Sequence, residues 1–154
     1  MIFAEPSLAE IRHVCRNMRP ASREEMFLTR PAEDPDALAD ALFPFNGFMW
    51  TAYFSEHPAC IIGAYPLHPG VWGLYGFGTP AYSMVIREVT KHARRFMMPA
   101  IVNAGAHRGQ CISPVGHEET HRWLRFLGAK EEARLHQYGK GGEDCLLFAW
   151  TKDS

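Results

Sequence analysis

The run His117-Glu118-Glu119-Thr120-His121 matches H-E-x-x-H. On a helix this spacing sets two imidazoles on one face as zinc ligands, with the glutamate between them placed as a base toward a metal-bound water. Three features weigh against that chemistry here. The helix begins at His117 itself, after Pro114-Val115-Gly116, so the first ligand sits in a fraying turn. Metalloprotease helices are buried and carry uncharged residues at the x positions and beyond, whereas Glu119 and Arg122 are charged. No third ligand follows at a characteristic distance, although His107, Cys111 and His136 could join His117 and His121 around a structural or adventitious ion. Glu118 and Glu119 also have a plain role, since carboxylates in a first helical turn complement the helix dipole. No metal is therefore expected. Cys15, Cys60, Cys111 and Cys145 lie far apart and form no CxxC pair, so buried free thiols are the expectation. There is no Gly-x-Ser-x-Gly elbow, no phosphate loop, and no cysteine in an activating context.

A chain of 154 residues suits one domain, expected here over 1–154 with a helical part at 1–45 and a core at 48–152. With 47% hydrophobic and 21% charged residues it has the composition of a globular protein. The net charge of -1 supplies no global field for nucleic acid or an anionic membrane. Charge is unevenly placed, however. Between Tyr82 and Met97 stand Arg87, Lys91, Arg94 and Arg95 against Glu88 alone, a basic face that an anionic partner could meet. The start, Met-Ile-Phe-Ala-Glu-Pro, has no basic region followed by an apolar run, so no signal peptide is expected, and no apolar stretch approaches the ~20 residues of a membrane span.

The elements that would position these groups can be read from caps and periodicity. Ser7-Leu8-Ala9-Glu10 is a capping box, followed by Leu8, Ile11, Val14 and Cys15 on one helical face. Ser22-Arg23-Glu24-Glu25 repeats the box for a second helix, and Asp34-Pro35 launches a third. Aromatic and β-branched runs at 48–54, 59–65 and 71–77 predict a meander of three antiparallel strands. A long helix follows, with Thr79 as its cap, Pro80 in the first position and Pro99 ending it. Residues 100–104 read as a fourth strand and 105–116 as a loop. A helix from about His117 to Leu127 faces Trp123, Leu124 and Leu127 inward and stops at Gly128. Two strands near 132–138 and 145–151 close the chain. The order predicts an α/β (α+β) fold, a mixed and mostly antiparallel central sheet with helices on both faces.

That order, together with Thr120-His121-Arg122-Trp123-Leu124-Arg125-Phe126-Leu127-Gly128-Ala129 before the closing strands, resembles the GCN5-related N-acetyltransferase superfamily. Over roughly 48–152 it is also similar to the small internal virion proteins of short-tailed bacteriophages, through the aromatic strands, the basic helix, the Arg-Phe-Leu…Gly-Ala element and the glycine-containing final hairpin. The first resemblance implies that acetyl-CoA would seat its pyrophosphate on free amides where the third strand meets the long helix. The superfamily pattern there is Gln or Arg, two residues, then Gly-x-Gly or Gly-x-Ala. Here the stretch is Phe77-Gly78-Thr79-Pro80-Ala81-Tyr82-Ser83, with no preceding basic residue and with Pro80 removing one amide. Gly78, Thr79, Ala81, Tyr82 and Ser83 are the residues that would hold the cofactor if it binds. The superfamily's general acid is commonly a tyrosine four residues before the late glycine, and Leu124 stands there, leaving Tyr138 or Tyr75 to substitute.

Both departures point to a fold retained without its chemistry. The expectation is a non-catalytic acetyltransferase-fold phage protein with no catalytic residues and no cofactor. It would act in virion assembly through contact with other virion or host proteins, using the basic helix face or the apolar cluster Phe43–Phe48, in the host cytoplasm and the phage particle. No specific nucleic acid and no membrane is expected. The alternative is an acetyl-CoA-dependent N-acetyltransferase with a divergent cofactor loop.

Overall fold

The computed structural model describes residues 3–153. Met1, Ile2 and Ser154, the ends of the span expected as one domain, lie outside the described residues.

Local capping chemistry starts the first helices. Helix α1 (Leu8–Arg16) has the reciprocal box: the Glu10 amide donates to Ser7 Oγ at 3.2 Å, and the Ser7 amide donates to Glu10 Oε1 at 3.0 Å. It buries Ile11, Val14 and Cys15. Helix α3 (Pro35–Leu42) starts at Asp34, whose Oδ1 accepts from the amides of Asp36 and Ala37. Helix α2 departs from expectation. It spans Pro20–Met26, because Pro20 is already shaped for a first helical position, and this places Ser22 inside the helix rather than at its cap. The Ser22 hydroxyl is then available elsewhere, and it accepts from the Gly78 amide. Phe43–Phe48 forms a 3-10 turn leading into the sheet.

The meander is present as β2 (Met49–Phe54), β3 (His57–His68) and β4 (Val71–Gly78), with β1 (Phe3–Ala4) paired outside β2. The β2–β3 connection turns on Ser55 and Glu56, both left-handed at φ 49 and 66. After α4 (Tyr82–His92) come a π-helical stretch, Ala93–Met97, and α5 (Met98–Asn103). Two expectations fail here. Pro99 does not end the helix, and residues 100–104 are not a strand. In a regular α turn the Pro99 ring would press on the Arg95 carbonyl and leave it without a donor; widening to π spacing relieves that contact and lets the helix continue.

The fourth long strand lies instead in the expected loop. It is β5 (Arg108–Pro114), in which Gly109 lets Leu74 pack closely: a Cβ there would lie 2.9 Å from Leu74 Cδ1. Helix α6 (Glu118–Phe126) ends as expected at Gly128, left-handed at φ +95. Its buried residue is His121, while Trp123 and Leu127 pack at the edge of the core. The last strands are β6 (Lys130–Leu135) and β7 (Cys145–Thr151). The seven strands run in the order β1-β2-β3-β4-β5-β7-β6, antiparallel except between β4 and β5.

Helices cover both faces. On one, α1 and α3 pack Ile11, Val14 and Leu38 against Met49, Ile61 and Phe77. On the other, α4 packs Tyr82, Val85 and Val89 against Ala52, Cys60 and Ile62. Among the described residues no helix is long and apolar enough to cross a membrane.

Candidate functional site

The parallel pair β4–β5 is joined only at Val71, Trp72 and Gly73, opposite Arg108, Gly109 and Gln110. Beyond these, residues 74–78 of β4 and 111–114 of β5 diverge, because β5 stays paired to β7 up to Pro114 while β4 turns toward α4. The gap widens into a cleft of about 960 Å³ bordered by Tyr75, Gly76, Tyr82, Cys111, Ser113 and Leu124. Successive residues of a strand turn their N–H and C=O to opposite edges. Gly78 turns its pair away from β3, its carbonyl accepting from Arg19 N at 2.9 Å. Gly76, two residues earlier, therefore turns its own pair the same way, into the cleft.

The start of α4 stands at one end of this cleft, where Tyr82 and Ser83 line it. Four amides between Gly78 and Tyr82 are taken up within the protein. Gly78 N donates to Ser22 Oγ at 3.1 Å, Thr79 N to Ala59 O at 2.9 Å, Ala81 N to Thr79 Oγ1 at 3.2 Å, and Tyr82 N to Thr79 O at 2.9 Å. Pro80 has no amide to give. Thr79 also donates its hydroxyl to Ala59 O, and Ser83 Oγ reaches Pro80 O at 3.5 Å. Thr79 is thus a staple of the turn rather than the expected cap, and α4 begins at Tyr82, three residues later. Gly76 and Gly78 make room for Tyr82: a Cβ on Gly76 would lie 2.7 Å from its hydroxyl, and one on Gly78 2.6 Å from its ring.

A cation does stand at this turn, although none immediately precedes it in the chain. The Arg19 guanidinium lies 4.5 Å over the Tyr82 ring and donates from Nε to Ser22 Oγ at 3.3 Å. Sequence reasoning missed Arg19 because it arrives from the α1–α2 junction.

Leu124, in the place of the superfamily's acid, lines the cleft, as do Tyr75 and Tyr138. Burial pushes the Tyr75 phenol well above its usual range, and its hydroxyl is buried without a partner. A phenol held that tightly is a weaker proton donor than an ordinary tyrosine.

The two histidines of the H-E-x-x-H run face different groups. His117 presents Nδ1 to Glu25 Oε1 and Nε2 to Glu24 Oε2, both at 2.7 Å, so neither nitrogen is turned to a shared cation. His121 is buried, with Nε2 3.1 Å from Ser113 Oγ and its ring against Phe148. His107 precedes β5 while His117 follows it, seven strand residues away. His136 contacts Asp144. Among the described residues no group of three His, Cys, Asp or Glu side chains is arranged to hold a metal. All four cysteines are free, and burial pushes the Cys111 thiol in the cleft wall up to about 12.

The basic face lies outside the cleft. Arg87, Lys91, Arg94 and Arg95 are exposed on α4 and the π stretch. Arg94 lies 4.3 Å over the Phe126 ring and donates to the Phe126 carbonyl. Phe96 and Phe126 are 59% and 62% exposed, so two aromatic rings flank the cations. Arg12, Arg16, Arg23, Arg108, Arg125 and Arg134 are each in an ion pair, but among the described residues Arg87, Lys91 and Arg95 are in none. The apolar cluster Phe43–Phe48 is only partly outward, with Phe43 and Phe45 exposed and Phe48 packed edge-on against Trp72 at 4.7 Å.

Comparison with solved structures places this architecture. The ribosomal-protein-alanine N-acetyltransferase from Brucella melitensis superposes with a TM-score of 0.78 at 16% identity, covering 98% of this chain and 99% of that one. The fold is acetyltransferase-like. Ard1 from Thermoplasma volcanium gives 0.75 at 12% identity over 97% and 96% of the two chains. A GNAT-family acetyltransferase from Bacillus anthracis gives 0.70 at 11% identity over 99% and 95%. No family model and no curated protein matches the sequence.

Proposed function

We propose that this chain is a non-catalytic protein of acetyltransferase-like fold that works by contact with another protein. The supporting observation is the β4–α4 turn, where the amides of Gly78, Thr79, Ala81 and Tyr82 already have acceptors inside the protein and Pro80 has none. A diphosphate seated on a helix start needs such amides free and aligned. The surface offered for contact is the basic face of α4, with its unpaired cations and the exposed rings of Phe96 and Phe126. Its place in a phage particle, among virion or host proteins, rests on the sequence resemblance over 48–152.

Calorimetric titration with acetyl-CoA tests the reading. No heat is expected up to millimolar ligand. Micromolar binding that weakens in Ser83→Glu would favour the alternative, an acetyl-CoA-dependent N-acetyltransferase. Two observations favour that second reading: the cleft measures about 960 Å³, and Arg19 supplies a cation beside Tyr82.

A further inference from the structure

We propose that residues 19–30 form a strap across the cleft and that His117 is its proton-operated latch. The strap is tied at one end to β4, through Arg19 N to Gly78 O at 2.9 Å and Gly78 N to Ser22 Oγ at 3.1 Å. At the other end it is tied to the turn between β6 and β7. There Lys140 N donates to Leu28 O and Lys140 Nζ to Arg30 O, both at 2.9 Å, and Phe27 and Leu28 are buried. Along the strap Arg19, Glu25, Met26 and Leu28 line the cleft. The middle of the strap is held to the opposite wall by Glu24 and Glu25, which grip His117 just before α6.

The grip requires a proton. A neutral imidazole has one N–H and one lone pair, yet both ring nitrogens lie 2.7 Å from carboxylate oxygens. Only the imidazolium can donate to both, so deprotonation turns a lone pair against one carboxylate. The Glu25 contact carries most of the effect: its side chain is 18% exposed and that of His117 13%, whereas Glu24 is 67% exposed and screened by water.

The other groups packed here do not replace the latch. From β5, Ser113 donates to Glu25 Oε1 at 3.1 Å, and the Cys111 thiol is kept neutral by burial. From α6, His121 lies one turn on, and burial favours its neutral form. Hydrogen bonding to Glu25 raises the His117 pKa above 6.5, against the opposing effect of burial, with Glu24 adding to the rise. The strap is thus closed below pH 6.5 and released as pH climbs through the raised value.

Amide hydrogen exchange of the intact protein between pH 6 and 9 (~ the range bracketing an imidazole), with intrinsic rates divided out, tests this. The opening constant of residues 19–30 is expected to rise from pH 6.5 by up to about tenfold per pH unit and then level off, with β3 unchanged. His117→Gln should exchange at the high-pH level throughout. Strap exchange that ignores pH in the native chain, or a step that survives in His117→Gln, overturns the proposal. Should the variant fail to fold, the His117 ring is titrated by NMR in the native protein. Coincidence of its midpoint with the strap step supports the latch, and a mismatch overturns it.

Discussion

His92 is buried among aromatic rings, stacked on Phe3 at 4.0 Å and Phe96 at 5.1 Å, with Trp50 edge-on at 5.1 Å. Its Nε2 is buried without a partner, and burial lowers its pKa below 6.5. The folded protein therefore resists a proton that the unfolded chain accepts, so the contribution is intact above pH 6.5 and is lost as pH falls through the depressed value. In His92→Phe the acid limb of a stability–pH curve is expected to flatten, with stability near neutrality unchanged or raised by about 1 kcal/mol, since an unpaired buried nitrogen is removed. An unaltered acid limb in urea melts would refute this. A second residue-scale outcome concerns Gly78. A Cβ there would stand 2.7 Å from the Ala59 carbonyl and 2.8 Å from Cys60 Cβ, neither of which can swing away. Gly78→Ala should cost about 1–3 kcal/mol. Gly47, with nothing within 4 Å of its Cβ position, is the control, and Gly47→Ala should be neutral or stabilising by up to about 1 kcal/mol.

At the scale of elements, the N-cap side chains of α1 and α3 are Ser7 and Asp34. Ser7→Ala and Asp34→Ala are each expected to lower the urea midpoint by the equivalent of about 1 kcal/mol. The two losses should add in the double variant, because the caps share no partner. These helices were readable from sequence because donor and acceptor lie within three residues of each other. Elements were misread where a signal depended on a neighbour. Ser22 carries the same box, but Pro20 two residues earlier starts the helix first. Residues 100–104 are too few and too uniformly apolar to separate strand from helix, and Pro99 suggested a stop that the π stretch circumvents. Strand β5 was hidden because Gly109 and Pro114 read as loop residues; Gly109 is a strand residue here because Leu74 covers it.

At the scale of the whole molecule, the order of elements sufficed for the acetyltransferase-like architecture, and Gly78, Thr79, Ala81, Tyr82 and Ser83 fall at the cleft or the turn beside it. The groups that set the site's electrostatics were not legible. Arg19, Ser22, Glu24 and Glu25 meet their partners across the cleft, and no local pattern ties them to Gly78, Ser113 or His117. One sheet takes strands from Phe3 to Thr151, and both helical layers pack on it. Thermal unfolding followed by near- and far-ultraviolet circular dichroism is accordingly expected to give one coincident transition. Two separated transitions would divide the chain into independent units.

The short join between β4 and β5 also bears on how the chain reaches this state. The meander β2–β3–β4 and the hairpin β6–β7 are each assembled from near neighbours along the backbone, whereas β5 is joined to both only across long excursions, through α4 and α5 to β4 and through α6 to β7. Loop closure of that kind is entropically slow and weakly rewarded. The meander and the β6–β7 hairpin are therefore expected to form first, with β5 entering between them as the late step of folding.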